Sequence, residues 1–179
     1  MTHRLMAMVG AVPAITLLLA AGPLSAQTER AGAQVVGPDE GDVLVDPQGG
    51  QAHFKVGSVS TGASQLTMGT LVFPPGHETV THLHEIDEEV LYVLHGELTV
   101  TLEGQEHTAG PGGTVFIPPG TWMKIANQTN TSAFGLFILS RGEVEECFRV
   151  FLSEEADEAA RREAVALCRM KYPTAPSGE

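Results

Sequence analysis

From Val43 onward the chain is a series of short runs that are either apolar or alternate apolar with polar residues. They are Gln51–Val59, Gly69–Phe73, Val80–His84, Glu89–Leu94, Glu97–Leu102, Thr114–Ile117, Met123–Asn127 and Ala133–Leu139. Each is rich in Val, Leu, Thr or Phe, and the length and period are those of strands rather than helices. Turn residues punctuate them: Pro74-Pro75-Gly76, Gly96, Gly104, Gly110 to Gly113, and Pro118-Pro119-Gly120. Many short strands with regular turn signals predict an all-β barrel or sandwich over residues 43–141.

The pattern changes on both flanks. After Arg141, Ser153 followed by Glu154, Glu155 and Asp157 reads as an N-cap with an acidic first turn. Ala156, Ala159, Ala160, Ala164 and Leu167 recur at helical spacing, Arg169 and Lys171 suit a helix C-terminus, and Pro173 ends the run. Residues 142–179 are therefore predicted to be a helical tail packed on the outside of the barrel. Residues 27–42 are small, polar and aperiodic, which predicts a flexible lead-in. Residues 1–26 carry Arg4, an apolar run over Ala7–Ala21 and a small-residue cut region ending at Ala26. That is the pattern of a secretory signal peptide, and the run is shorter than the roughly 20 residues a spanning helix needs. An exported protein, periplasmic or secreted, is the expectation.

Charge narrows the partners. The formal charge is −12, and it becomes −13 once residues 1–26, with Arg4 and no acid, are removed. So acidic a surface argues against nucleic acid and against anionic lipid. Cys147 and Cys168 are the two cysteines. In an exported protein they are expected to pair, and the alternative is two buried thiols.

The candidate chemistry lies in one stretch. His82 and His84 are two residues apart, so on a strand both side chains leave the same face. Glu89 follows the turn-like Glu85-Ile86-Asp87-Glu88, and a hairpin there would return it beside the histidines. Two imidazoles and a carboxylate with open positions form a facial triad suited to iron and accepted by other borderline metals. The remaining histidines, His77, His95 and His107, read as turn or surface residues. His53, in the early strand, is the best substitute fourth ligand. Glu88 is the alternative carboxylate to Glu89; with Glu89 preferred, Glu85, Asp87 and Glu88 read as a solvated turn, and Phe116, Trp122, Phe134 and Phe137 read as barrel core. If Glu89 points inward, Tyr92 points outward. No phosphate loop, nucleophile elbow or zinc-spaced cysteine pair is present.

These residues resemble a family. Gly76, His82, His84, Glu89 and Gly96 meet every spacing of the first motif of the cupin superfamily. Gly112, Pro118, Gly120 and Asn127 fall at the offsets of its second motif, and the fifteen residues between the motifs resemble the compact single-domain members. The resemblance implies a small antiparallel β-barrel with an interior site and a homodimer paired through its sheets. It also implies one divalent metal, Fe, Mn, Zn, Ni or Cu, on His82, His84 and Glu89. The fourth ligand of that family is a second-motif histidine, and here the position holds Met123. Three readings stay open: Met123 lines a three-ligand metal site; its thioether is itself a ligand, favouring copper; or the metal is lost and the barrel holds an organic ligand or none. The functional expectation is a metal-dependent, quercetin-dioxygenase-like enzyme acting on a small organic substrate. The alternative is a non-catalytic barrel that binds a small molecule or metal for sensing, storage or scaffolding.

Overall fold

The computed structural model describes residues 32–141, 143–152 and 158–175. The signal-peptide reading of residues 1–26 and the N-cap at Ser153 lie outside the described residues. Among those described, nine strands form two antiparallel sheets. The larger contains β1 (Asp42–Val45), β2 (Gln51–Val56), β3 (Leu66–Phe73), β9 (Ala133–Ser140), β4 (Glu89–His95) and β7 (Thr114–Ile117), in that order. The smaller contains β6 (Gln105–Ala109), β5 (Leu98–Leu102) and β8 (Met123–Ala126). The chain leaves the large sheet for the small one at Gly96. Its φ of 73°, and a Cβ position that would lie 2.8 Å from Ala133 Cα, admit glycine alone.

Period-two alternation sets the inside. Glu89, Leu91 and Val93 on β4 oppose Leu139, Phe137 and Gly135 on β9, and all are buried. The two sheets close over Leu91, Val93, Leu98, Val100 and Ile125. The small sheet reaches β3 only around Leu71 and Phe73 and leaves β2 uncovered. Phe54, Phe137 and Leu139 are covered instead by Val144, Cys147 and Cys168 of two helices, α1 (Val144–Leu152) and α2 (Glu158–Lys171), and by Tyr172 just after α2. The tail therefore does not sit on the outside of the barrel. Its apolar face completes the inner core where three strands are too few to cover six. Cys147 and Cys168 are disulfide-bonded, joining α1 to α2.

Several expectations change with the geometry. His53 alternates with the buried Ala52 and Phe54 and so faces away from the interior, which removes it as a substitute ligand. Phe116 and Phe134 stand on the outer face, 55% and 41% exposed, and only Phe137 of the four ring residues is core. His77 is no surface residue: it is 5% exposed, with Nε2 2.6 Å from Asp46. The strand β6, polar except for the buried Ala109 at its end, carries no hydrophobic signal. The segment Val80–His84 is not a regular strand.

Candidate metal centre

The histidine segment is held as the middle of three ribbons. On one side it runs antiparallel to β8: Thr79 N donates to Ile125 O, and His82 and Met123 exchange both backbone bonds, at 2.9 and 2.7 Å. On the other side it meets the end of the chain. Leu83 N donates to Pro173 O, Glu85 N to Lys171 O and Ala175 N to Thr81 O. The carbonyl of His84 accepts a third contact, from Gly120 N of the second glycine motif, at 2.8 Å. The pairing is intermittent, so no continuous ladder forms, and the strict alternation of a strand is lost. Leu83 and His84 are both buried.

Around this segment the four predicted residues gather unevenly. The rings of His82 and His84 lie 5.4 Å apart. His84 Nδ1 stands 3.7 Å from Glu89 Oε2, which enters from the first position of β4. Met123 is buried at the start of β8, directly opposite His82, so the two side chains leave the same face of their ribbon. Among the described residues no three His, Cys, Asp or Glu side chains close around one point. The donors come together as pairs, His82 with His84 and His84 with Glu89.

Electrostatics suit these donors to a cation. Burial, followed by the neighbouring His82, pushes the His84 pKa down to about 3, so the ring is neutral at physiological pH. Burial also lowers that of His82, against an opposing hydrogen bond to Val80 O. That 2.8 Å bond comes from His82 Nδ1. It places the proton there and leaves Nε2 with a free lone pair. Burial alone raises the Glu89 carboxyl to about 7. The His84–Glu89 approach is therefore a proximity of poorly solvated groups and not an ion pair. His84 Nδ1 is buried without a hydrogen-bond partner, a costly state for a polar atom.

Two neighbours of the site carried no signal in the sequence. Asp87, read as part of a solvated turn, is buried, and the Tyr172 hydroxyl donates to its Oδ2 at 3.0 Å. Tyr172 also sets its ring edge-on to His84, centroids 5.1 Å apart. In the sequence it is only the residue before the helix-ending Pro173; no spacing links it to a histidine 88 positions earlier. Glu85 and Glu88 are exposed as expected, and Tyr92 points outward. Asn127 of the second motif is a buried strut: its amide donates to the carbonyls of Phe73, Pro74 and Thr131.

Comparison with known proteins places this geometry. Residues 69–139 match the family model described as cupin domain. An uncharacterized protein of Methanocaldococcus jannaschii is 34% identical over 64 residues, covering 36% of this chain and 51% of that protein. Quercetin 2,3-dioxygenase of Bacillus subtilis is 33% identical over 82 residues, 46% of this chain and 24% of the enzyme. The chain thus spans about half of the first relative and a quarter of the second. Among solved structures, the polyketide cyclase RemF of Streptomyces resistomycificus superposes with a TM-score of 0.55 at 19% identity, over 63% of this chain and 81% of that one. That likeness is one of fold.

Proposed function

This chain belongs to the cupin superfamily through residues 69–139, and from that premise we propose an exported barrel that binds one divalent metal through His82, His84 and Glu89 and offers it to a small organic substrate. The carrying observation is the buried, unpartnered Nδ1 of His84 beside the poorly solvated Glu89 carboxyl. Two neutral imidazoles and a carboxylate fit a borderline divalent ion, and a cation would satisfy the groups that burial leaves stranded. When bound, the metal would supply Lewis acidity or oxygen activation.

The protein's own residues have separate tasks in this reading. The Val80 carbonyl fixes the His82 tautomer, so Nε2 is the ligating atom. Glu89 must lose its proton to ligate, which makes binding release protons near neutral pH. Met123 lies on the ligand side of the ribbon opposite His82, so its thioether lines the site or joins the donor set. The disulfide between Cys147 and Cys168 agrees with export to an oxidising compartment.

Metal content tests the proposal. The mature protein, reconstituted and analysed by plasma mass spectrometry, is expected to hold about one equivalent. Less than about 0.1 equivalent of every metal tried sinks the reading. His82→Ala and His84→Ala should each abolish binding, and full stoichiometry in both would place the metal elsewhere.

A second reading, a non-catalytic barrel, is favoured by Met123 in place of a ligand histidine and by the Tyr172 ring against His84. Oxygen uptake by the loaded protein separates the two. With a flavonol, the substrate class in the Bacillus subtilis enzyme's name, turnover supports the enzyme; stoichiometric binding without uptake across a panel of small phenols and organic acids supports the binder.

A further inference from the structure

The histidine segment owes one of its two neighbours to the end of the chain. Three backbone hydrogen bonds tie Lys171–Ala175 to Thr81–Glu85, with Thr174 directly opposite His82. Tyr172 fills the space beside His84 and anchors its hydroxyl on buried Asp87. Without this segment the outer edge of the histidine ribbon has no partner among the described residues, and the edge of His84 that Tyr172 covers is open.

The hold on this segment is covalent at its root. Cys168 lies four residues before Tyr172, and the Tyr172 amide donates to the Cys168 carbonyl. Cys168 is bonded to Cys147, which sits in the core beside Phe54, Phe137 and Leu139. Position is thus transmitted from the barrel core to the residue that packs on His84 by this disulfide together with the burial of Tyr172 in the same cluster. Beyond its backbone bond to Glu85, Lys171 adds an exposed ion pair with Glu143, a contact of small worth.

We propose that Lys171–Ala175 is a disulfide-anchored cover of the histidine site, with Tyr172 as the positioning residue of His84, so that access to the site follows the oxidation state of Cys147–Cys168. This rests on the site reading above for its purpose, but not for its test. Opening requires a dithiol reductant. Two electrons and two protons pass to the S–S bond, which breaks into two thiols, while the dithiol closes to its own disulfide. The freed end of α2 then opens locally, because the loop constraint that favoured docking is gone.

Acylation of histidine by diethyl pyrocarbonate reads the cover directly, and it needs no metal. Chelator-treated protein at neutral pH is labelled and the modified peptides are quantified by mass spectrometry. In the oxidised protein His84 should react far more slowly than exposed His107. Reduction, or Cys147→Ser with Cys168→Ser, should speed His84 by on the order of tenfold to a hundredfold. Buried His77, whose ring contacts Asp46 and Phe73, should keep its slow rate and so reports that the barrel stays folded. If reduction releases His77 as well, Tyr172→Ala with the bridge intact decides: His84 alone should accelerate. Tyr172→Phe, which keeps the ring and loses the Asp87 bond, should fall between Ala and wild type. A His84 as reactive as His107 in the oxidised protein overturns the cover, as does a His84 rate unmoved by both Tyr172→Ala and reduction. Failure to bind metal would sink the metal reading and leave these rates unchanged.

Discussion

Met123 is where this chain departs from the motif that its other residues satisfy. It occupies the fourth-ligand position of the family resemblance, and the fold places it, buried, across a two-bond bridge from His82. An imidazole at that position would face the site with no change of backbone. Met123→His is therefore expected to tighten Co²⁺ or Ni²⁺ by about tenfold or more, the gain of one nitrogen donor in a preformed site. Met123→Leu should leave those affinities within about twofold while lowering Cu⁺ affinity if the thioether ligates. Isothermal titration with each ion checks both, and an unchanged Co²⁺ affinity in Met123→His would show that position 123 does not reach the metal. A pH effect follows from Glu89. Its folded pKa is about 7 against an ordinary 4.5. The metal-free folded state keeps a proton that the unfolded chain loses over that range, so stability from Glu89 is present below about pH 4.5 and is lost as pH rises through 7. Glu89→Gln removes this loss. Its stability advantage over metal-free wild type should grow by about 3 kcal/mol between pH 4 and pH 8. Urea melts at both pH values measure it, and a pH-independent difference would refute the buried carboxyl. His84, with its lowered pKa, acts in the opposite sense: its contribution is lost as pH falls from about 6.5 through 3, in wild type and variant alike. The ligand residues were legible because their spacing is local. Asp87 and Tyr172 were not, since what buries them is 85 residues away in the chain.

At the scale of elements, the strands with apolar alternation were readable and the others were not. β4, β7 and β9 fell where the period-two pattern put them, while polar β6 is a strand only because β5 pairs with it. The helix α1 is not legible in the sequence. Its sequence, Val144–Leu152, mixes acidic and aromatic residues without the alanine repeat that marked the following helix. Yet α1 carries a buried carboxylate with several hydrogen-bond partners. Glu145 is fully buried, and its Oε2 accepts from Val59 N, Ser60 N and the Ser60 hydroxyl, while Oε1 accepts from Arg149 at 2.8 Å. This carboxylate fastens the β2–β3 connection to α1, and Gly57 leaves the room for it. Glu145→Ala leaves two backbone N–H groups and one guanidinium bond unmatched, and should cost about 3–4 kcal/mol. Glu145→Gln, which keeps an acceptor, should cost roughly half that. Denaturant melts of the oxidised protein give the values; a loss below about 1 kcal/mol in the Ala variant would show that water replaces the carboxylate.

For the molecule as a whole, the alternation that fills the barrel also determines what the large sheet shows to solvent. The outward residues of β4, β7 and β9 include Val90, Tyr92, Phe116, Phe134, Leu136 and Ile138. Phe116 and Val90 lie opposite one another, as do Val90 and Ile138, and Tyr92 and Leu136, so these side chains make one continuous surface. No outward position on these strands is charged, although the chain carries a formal −12. Sequence alone assigned Phe116 and Phe134 to the core because period two marks two faces without saying which is inside; the covering helices and small sheet decide that. An apolar sheet face of this kind in an acidic protein suits a partner that does not bring charge against it. The homodimer paired through its sheets that the family resemblance implies would set the same uncharged face against itself and keep the acidic surfaces apart. Sedimentation equilibrium at micromolar concentration should give twice the chain mass. Phe116→Lys places two charges in the self-complementary contact and should shift the protein to monomer with the barrel intact by circular dichroism. Sedimentation as a monomer by the wild-type protein at about a hundred micromolar would exclude a stable dimer.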